Sequence, residues 1–332
     1  MQTTMKTFAA RLMVASVLCA LTIPLLMGQG NLESASNDST RRGKKDRGQV
    51  RPVTIPITPH VRGLRQVQAE EFIALGDISI KEDGEEQKVL SIRSIGNTPL
   101  ALAVLVQDDV VSSIANEIKG LGEFIRTLPK GSRVMIGYIR SGSLQVRQKF
   151  TTDLEKAVRA LRIPISSATA APYNPYVEII EGLKRFEALP SGRRAMLVIS
   201  DGLDTSDGIS GSSAGQSLDL QRAVREAQRR SVAVYSIYAP TVTATANRNP
   251  ILVNNAQGSL ERLSSESGGR AFFQGTGAPV SFDPFLNELG ESLSMQLAVT
   301  FLSTNPNRGF HRIEASFARQ GVKVDYPAGY SR

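Results

Sequence analysis

The sequence predicts an α/β protein: a doubly wound, mostly parallel sheet with helices on both faces, plus a small β unit made from the N- and C-terminal segments. Three observations predict it. The continuous apolar run LALAVLV at residues 100–106 is what a strand covered on both faces shows. Further short apolar runs at 134–139, 196–199 and 232–238 alternate with stretches whose apolar residues recur at helical spacing, the pattern of a parallel sheet with crossover helices. Extended segments with no helical spacing open and close the chain.

In order, residues 1–28 read as a targeting signal. Lys6 and Arg11 precede an uncharged apolar stretch over 12–27, shorter than the ~20 residues a membrane span needs. Membrane contact is therefore expected only through this segment if it stays uncleaved. Residues 29–50 are polar, with Arg41, Arg42, Lys44, Lys45 and Arg47 clustered, and read as a basic linker. No aromatic interleaves those charges, so nucleic acid is not an expected partner.

Residues 51–97 form the N-terminal β segment. Residues 53–57, with Pro52 and Pro56, point to an edge strand. Glu82-Asp83-Gly84-Glu85, between Ile78/Ile80 and Val89/Ile92, is a hairpin signal. Residues 98–294 form the α/β domain. After the first core strand, Ile114, Ile118, Leu121, Phe124, Ile125 and Leu128 mark a helix. The strands at 134–139 and 144–150 are joined by Arg140-Ser141-Gly142, which predicts one antiparallel edge. Thr152 with Glu155 predicts a capping box, and Tyr176, Ile180, Leu183 and Phe186 mark the next helix. The strand at 196–199 ends in Ser200-Asp201-Gly202. A helix carries Leu220, Ala223, Val224 and Ala227, and the fifth strand follows. Residues 240–257 read as a long loop, as do the Gly/Ser-rich residues 206–217. Ser259 is expected to cap a helix ending at Gly268-Gly269, and Ser281 another reaching Leu293. Strands over 295–332 close the chain.

The chain has 332 residues, of which one is Cys and two are His, and its formal charge is +8. A Cys/His zinc site and an iron–sulfur cluster are nearly excluded on that count. His60 and His311 adjoin no G-x-S-x-G turn and read as surface or hairpin residues. No phosphate-binding G-x-x-x-x-G-K-[ST] loop is present. The cysteine, Cys19, lies in the targeting segment, and export to the periplasm or outside the cell is the expected location.

Ligands of open α/β sheets bind outside the carboxyl ends of the strands. The first core strand ends in Gln107-Asp108-Asp109-Val110-Val111-Ser112-Ser113, and the fourth in Ser200-Asp201-Gly202-Leu203-Asp204. Both deliver carboxylates to one edge, and oxygen donors of this kind suit a hard cation. A metal-assisted phosphohydrolase built on Asp108, Asp109 and Asp201 is an alternative, with no Lys or Arg clamp evident beside those acids.

The chain resembles the von Willebrand factor A-type domain, and more closely the acidobacterial VWFA-related proteins of that superfamily. ISIKEDGEEQKVLSI is similar to the family's entry hairpin and TPLALAVLVQDDVVSS to its first core strand and metal loop. AMLVISDGLDTSD resembles its fourth strand and acidic loop, and ERLSSESGGRAFF its helix–Gly-Gly–strand segment. FHRIEASFARQGVKVDYPAGYSR is similar to its closing strands. The resemblance implies a metal-ion-dependent adhesion site with Asp108, Ser112 and Asp201 as ligands and Mg²⁺ or Mn²⁺ as the ion. Val110 stands where that motif has its first Ser, and Ala171, near Thr169, where it has its Thr, so the site reads as degenerate. The expected function is an exported binding module, not an enzyme, that engages a protein or glycan through the strand-end rim. A functional Mg²⁺ adhesion site is the rival reading.

Overall fold

A computed structural model describes residues 50–60, 78–93, 98–242, 249–318 and 321–331. The targeting signal at 1–28 and the basic linker up to residue 49 lie outside the described residues.

Among the described residues, six strands form the inner sheet: β4 (Ala101–Gln107), β5 (Arg133–Arg140), β6 (Ser143–Thr151), β7 (Arg194–Ser200), β8 (Ala233–Tyr238) and β9 (Ala271–Phe272). Their order is β6-β5-β4-β7-β8-β9. All neighbours are parallel except β5 and β6, the antiparallel edge expected from the Ser141-Gly142 turn. The chain builds outward from β4 to β6, returns, and builds the other way from β7. The point of reversal lies between β4 and β7, where such sheets open a crevice.

The helices are α1 (Glu117–Arg126), α2 (Leu154–Arg159), α3 (Pro175–Lys184), the single turn α4 (Gly208–Gly211), α5 (Leu218–Arg229), α6 (Pro250–Ser267) and α7 (Asp283–Met295). Side chains of β4 alternate between two cores. Leu102, Val104 and Val106 pack with Phe124 and Ile125 of α1 and Leu286 and Leu289 of α7. Ala103 and Leu105 pack with Tyr176 and Ile179 of α3, Leu220 and Ala223 of α5, and Leu263 of α6. Each fully buried aliphatic side chain contributes roughly 1.5–3 kcal/mol, which explains the unbroken apolar run in β4.

Several boundaries differ from those read in the sequence. Asp153, not Thr152, caps α2, because its carboxylate accepts from the Lys156 N–H at 2.9 Å. The stretch 240–257 is not all loop: α6 starts at Pro250, capped by Asn249, whose side chain accepts from the Ile251 N–H. Ser259, expected as a cap, is buried in the middle of that helix. Asn-Pro opened the helix, since proline at the first position loses no intrahelical bond.

The outer sheet comprises β1 (Arg51–His60), β2 (Ile78–Glu82), β3 (Glu85–Arg93), β10 (Leu297–Ser303), β11 (Phe310–Phe317), β12 (Lys323–Asp325) and β13 (Gly329–Ser331). The order is β12-β1-β10-β3-β2-β11-β13, all antiparallel. The N- and C-terminal segments thus interleave, and among the described residues the sheet has seven strands, larger than the small unit expected. Its core includes Ile55, Ile57, Ile80, Val299, Phe301 and Ile313. Residues 51–57 of β1 pair with β10, and β12 joins only from Thr58. Asp83 and Gly84 both have positive φ (51° and 89°), as a two-residue type I′ hairpin requires. Arg93, at the end of β3, pairs with Ala298 near the start of β10. The α/β body is therefore an insertion between two neighbouring strands of the outer sheet.

Of the two histidines expected at the surface or in a hairpin, His60 is partly exposed and His311 is buried beside the β2–β3 turn. His60 Nε2 lies 2.6 Å from Asp325 Oδ2, which also takes the Arg270 guanidinium at 3.0 Å.

Candidate functional site at the strand ends

The parallel register of β4 and β7 pairs Val106 with Ile199. Asp108 and Asp201 therefore follow two neighbouring strands to the same edge. Gln107 ties the strand ends together: its side-chain oxygen accepts from the Ser200 hydroxyl, and its amide donates to Asp109 Oδ1 at 2.9 Å. The acids then divide into two groups.

Asp108 is fully buried and turns toward β5. Its carboxylate holds the Arg162 guanidinium in a bidentate pair, at 2.7 and 2.6 Å, and accepts from the Ile165 N–H at 3.0 Å. The guanidinium carbon sits 4.0 Å from the centroid of the Tyr138 ring. The Tyr138 hydroxyl donates to the Arg162 carbonyl and accepts from the Arg162 N–H, both at 2.7 Å. Hydrogen bonding to Asp108 raises the pKa of Arg162 further, and burial raises that of Tyr138. Fork-to-fork pairing fixes geometry as well as charge. The Ser166 N–H donates to the Asp108 carbonyl at 2.9 Å, so the loop after α2 is pinned across the end of β4. This is the clamp that the sequence did not disclose beside the acids.

Asp109 and Asp201 form the second group, both buried. Asp201 accepts from the Leu203 N–H at 3.0 Å and the Thr241 hydroxyl at 2.9 Å. Burial, followed by repulsion from Asp109, pushes the Asp201 carboxyl up to about 6. Burial also raises the pKa of Asp109. The segment after β8 closes over this pair: Val110 bridges Thr241, the Val111 N–H donates to the Pro240 carbonyl, and the Val242 N–H donates to the Asp109 carbonyl.

The donors can be tested against the cation that the resemblance implies. Both oxygens of Asp108 are engaged by a guanidinium, and Asp201 is held by Leu203 and Thr241. Val110 is buried and offers no oxygen from its side chain, while Ser112 is exposed at the start of a 3₁₀ turn (Ser112–Asn116). Ala171 is half-buried with no side-chain donor, and the Thr169 hydroxyl bonds Ser167. Mg²⁺ needs near-octahedral oxygen ligands, and this donor set does not fit it. A guanidinium stands against the first carboxylate instead.

The rim around these groups carries exposed apolar side chains. Ile163 and Ile165 flank the Asp108 clamp, 63% and 43% exposed, and Tyr173 is 81% exposed. The Tyr173 carbonyl accepts from the Thr205 N–H at 2.9 Å, which brings it beside the loop after β7, where Ile209 is also exposed. Periodicity arguments passed over Ile163, Ile165 and Tyr173, because they lie in a segment with no repeat. Their signal was the oddity of isoleucine and tyrosine among Pro, Ser and Ala.

No family model and no curated protein matches the chain. Among solved structures, it is similar to an aerotolerance-related membrane protein from Bacteroides fragilis, at 11% identity and a TM-score of 0.41, over 59% of this chain and 98% of that one. It is similar to the manganese-loaded TRAP protein of Plasmodium vivax, at 11% identity and a TM-score of 0.38, over 74% and 100%. It is also similar to the VWA domain of SpRpn10, at 14% identity and a TM-score of 0.32, over 52% and 87%.

Proposed function

We propose that the chain is an exported binding module of the von Willebrand factor A type. It engages a protein partner through its strand-end rim, without a divalent cation and without catalysis. The observation that carries this reading is the Arg162–Asp108 clamp, which holds exposed Ile163 and Ile165 at the mouth of the switch-point crevice. A cation-dependent adhesion site needs an open coordination position for an incoming ligand. Here the equivalent charge is met from within the chain. What the rim offers outward is aliphatic and aromatic surface, and such patches mark protein contacts. Aliphatic isoleucines favour a protein surface over a glycan, which would ask for hydroxyl-directed hydrogen bonds. The buried acids argue against a phosphohydrolase, because Asp108 and Asp201 already spend their oxygens on internal donors.

The test is retention of a binding partner from envelope extract on immobilised chain. Retention should survive a chelator and should fall at least about tenfold when Ile163, Ile165 and Tyr173 are each replaced by Ser, with folding checked by circular dichroism. Retention that requires Mg²⁺, or that ignores the triple substitution, would overturn the proposal.

A further inference from the structure

At the β2–β3 turn, where β11 and β13 run alongside, three side chains converge. One ligand atom each of Glu82, Asp83 and His311 lies within 4.8 Å of the others. His311 Nδ1 is 2.8 Å from Asp83 Oδ2 and 3.4 Å from Glu82 Oε1. Spacings of this size are the edges of a polyhedron around an ion bound at about 2.1 Å. We propose that Glu82, Asp83 and His311 bind one divalent transition ion, with Zn²⁺ as its probe.

Three further observations support it. Glu82 is 1% exposed, and its Oε2 has no hydrogen-bond partner, although its carboxylate faces the imidazole. A buried carboxylate oxygen without a hydrogen-bond partner is the kind of group that an ion or a water satisfies. His311 Nε2 lies 3.2 Å from the Asn307 carbonyl, which only accepts, so this contact is a hydrogen bond whenever Nε2 carries a proton. Nδ1 faces the Asp83 carboxylate and, at 3.2 Å, the Asn305 side-chain amide nitrogen, while a ligating histidine commonly keeps an outer carbonyl partner on its other nitrogen. The supporting shell is also built. Ser303 and Tyr330 hydroxyls donate to Glu82 Oε1 at 3.0 and 2.7 Å, and the Tyr330 ring stacks on the imidazole. The Arg312 N–H donates to Asp83 Oδ1, and the Asn305 amide to Asp83 Oδ2.

Two carboxylates and a neutral imidazole balance a divalent charge. The Asp83 side chain is 40% exposed, which leaves an approach for the ion and for a water as fourth ligand. An imidazole among the donors favours zinc over magnesium or calcium. The bound ion would tie the β2–β3 turn to β11.

The experiment is calorimetric titration of the chelator-stripped, dialysed chain with Zn²⁺, with Mg²⁺ alongside. The expected result is saturable uptake of one equivalent of Zn²⁺, a rise in melting temperature at excess metal, and no uptake of Mg²⁺ at this site. Asp83→Asn keeps the turn, because Asn accepts positive φ readily, and should weaken Zn²⁺ binding by about tenfold or more. With two histidines in the chain, ¹⁵N spectra identify the ligand: the Nδ1 resonance of His311 should move. No saturable uptake, uptake unchanged in Asp83→Asn, or a shift confined to His60 would each overturn the proposal.

Discussion

Arg162 and Asp108 are each buried or half-buried, and neither is tolerable there without the other. Removing one member of a buried pair leaves the second uncompensated, which costs about 3–5 kcal/mol. Arg162→Ala should therefore lower stability in urea unfolding by roughly that amount, and adding Asp108→Asn should restore much of it. Mg²⁺ should not shift the wild-type melting temperature. Asp201 behaves oppositely, since burial beside Asp109, with no cation partner among the described residues, makes its charge a liability. Its folded pKa of about 6 exceeds the ordinary 3.8, so between these values the folded state keeps a proton that the unfolded chain has lost. Stability then falls as pH rises from about 4 to 6 and levels off above. Asp201→Asn should flatten that slope and add up to about 3 kcal/mol at pH 7. The two aspartates were legible as acids ending apolar strands. Their opposite roles were not, because Arg162 lies 54 positions from Asp108, in a loop with no pattern.

At the scale of elements, the loop after β7 shows how closely the site is packed. Gly202 has φ +69°, and a Cβ there would lie 2.4 Å from the Leu260 side chain and 3.0 Å from the Ala256 carbonyl of α6. The Gly202 carbonyl also accepts from the Tyr176 hydroxyl of α3 at 2.6 Å. Gly202→Ala should push α6 off the strand end and cost more than about 2 kcal/mol, visible as a lower urea midpoint. Element types were readable where one period dominated, as in β4 and α5. Boundaries failed where capping decided them. Asn249 and Asp153 each win the cap through one side-chain oxygen placed on a backbone N–H, and a Ser or Thr nearby misled the reading. His311 was unreadable for another reason: alternation along β11 shows which face it takes, but its neighbours Glu82, Asp83 and Tyr330 come from β2, the β2–β3 turn and β13, distant in sequence or on another strand.

For the whole molecule, two sheets share one chain, and two arginines, one buried and one half-buried, tie them together. Arg193, just before β7, donates to the Thr98 carbonyl on the way into β4 and to the Leu293 carbonyl near the end of α7. It thus grips both points where the chain passes between sheets, and burial lowers its pKa to about 10. Arg270 beside β9 does similar service toward Asp325 in β12. Alternation and composition indicated that β structure flanks an α/β body. The strand order of the flanking sheet was beyond them, since it rests on pairings such as Thr54 with Thr300, far apart in sequence. No described helix is long and apolar enough to cross a membrane.

The pairing of Arg93 with Ala298 makes the α/β body a cassette spliced into one hairpin of an antiparallel frame. Entry and exit sit side by side, so a cassette of different length or loop chemistry could be exchanged without displacing a frame strand. Recognition could then diversify on the cassette while the frame stays constant, much as variable loops do on a fixed scaffold.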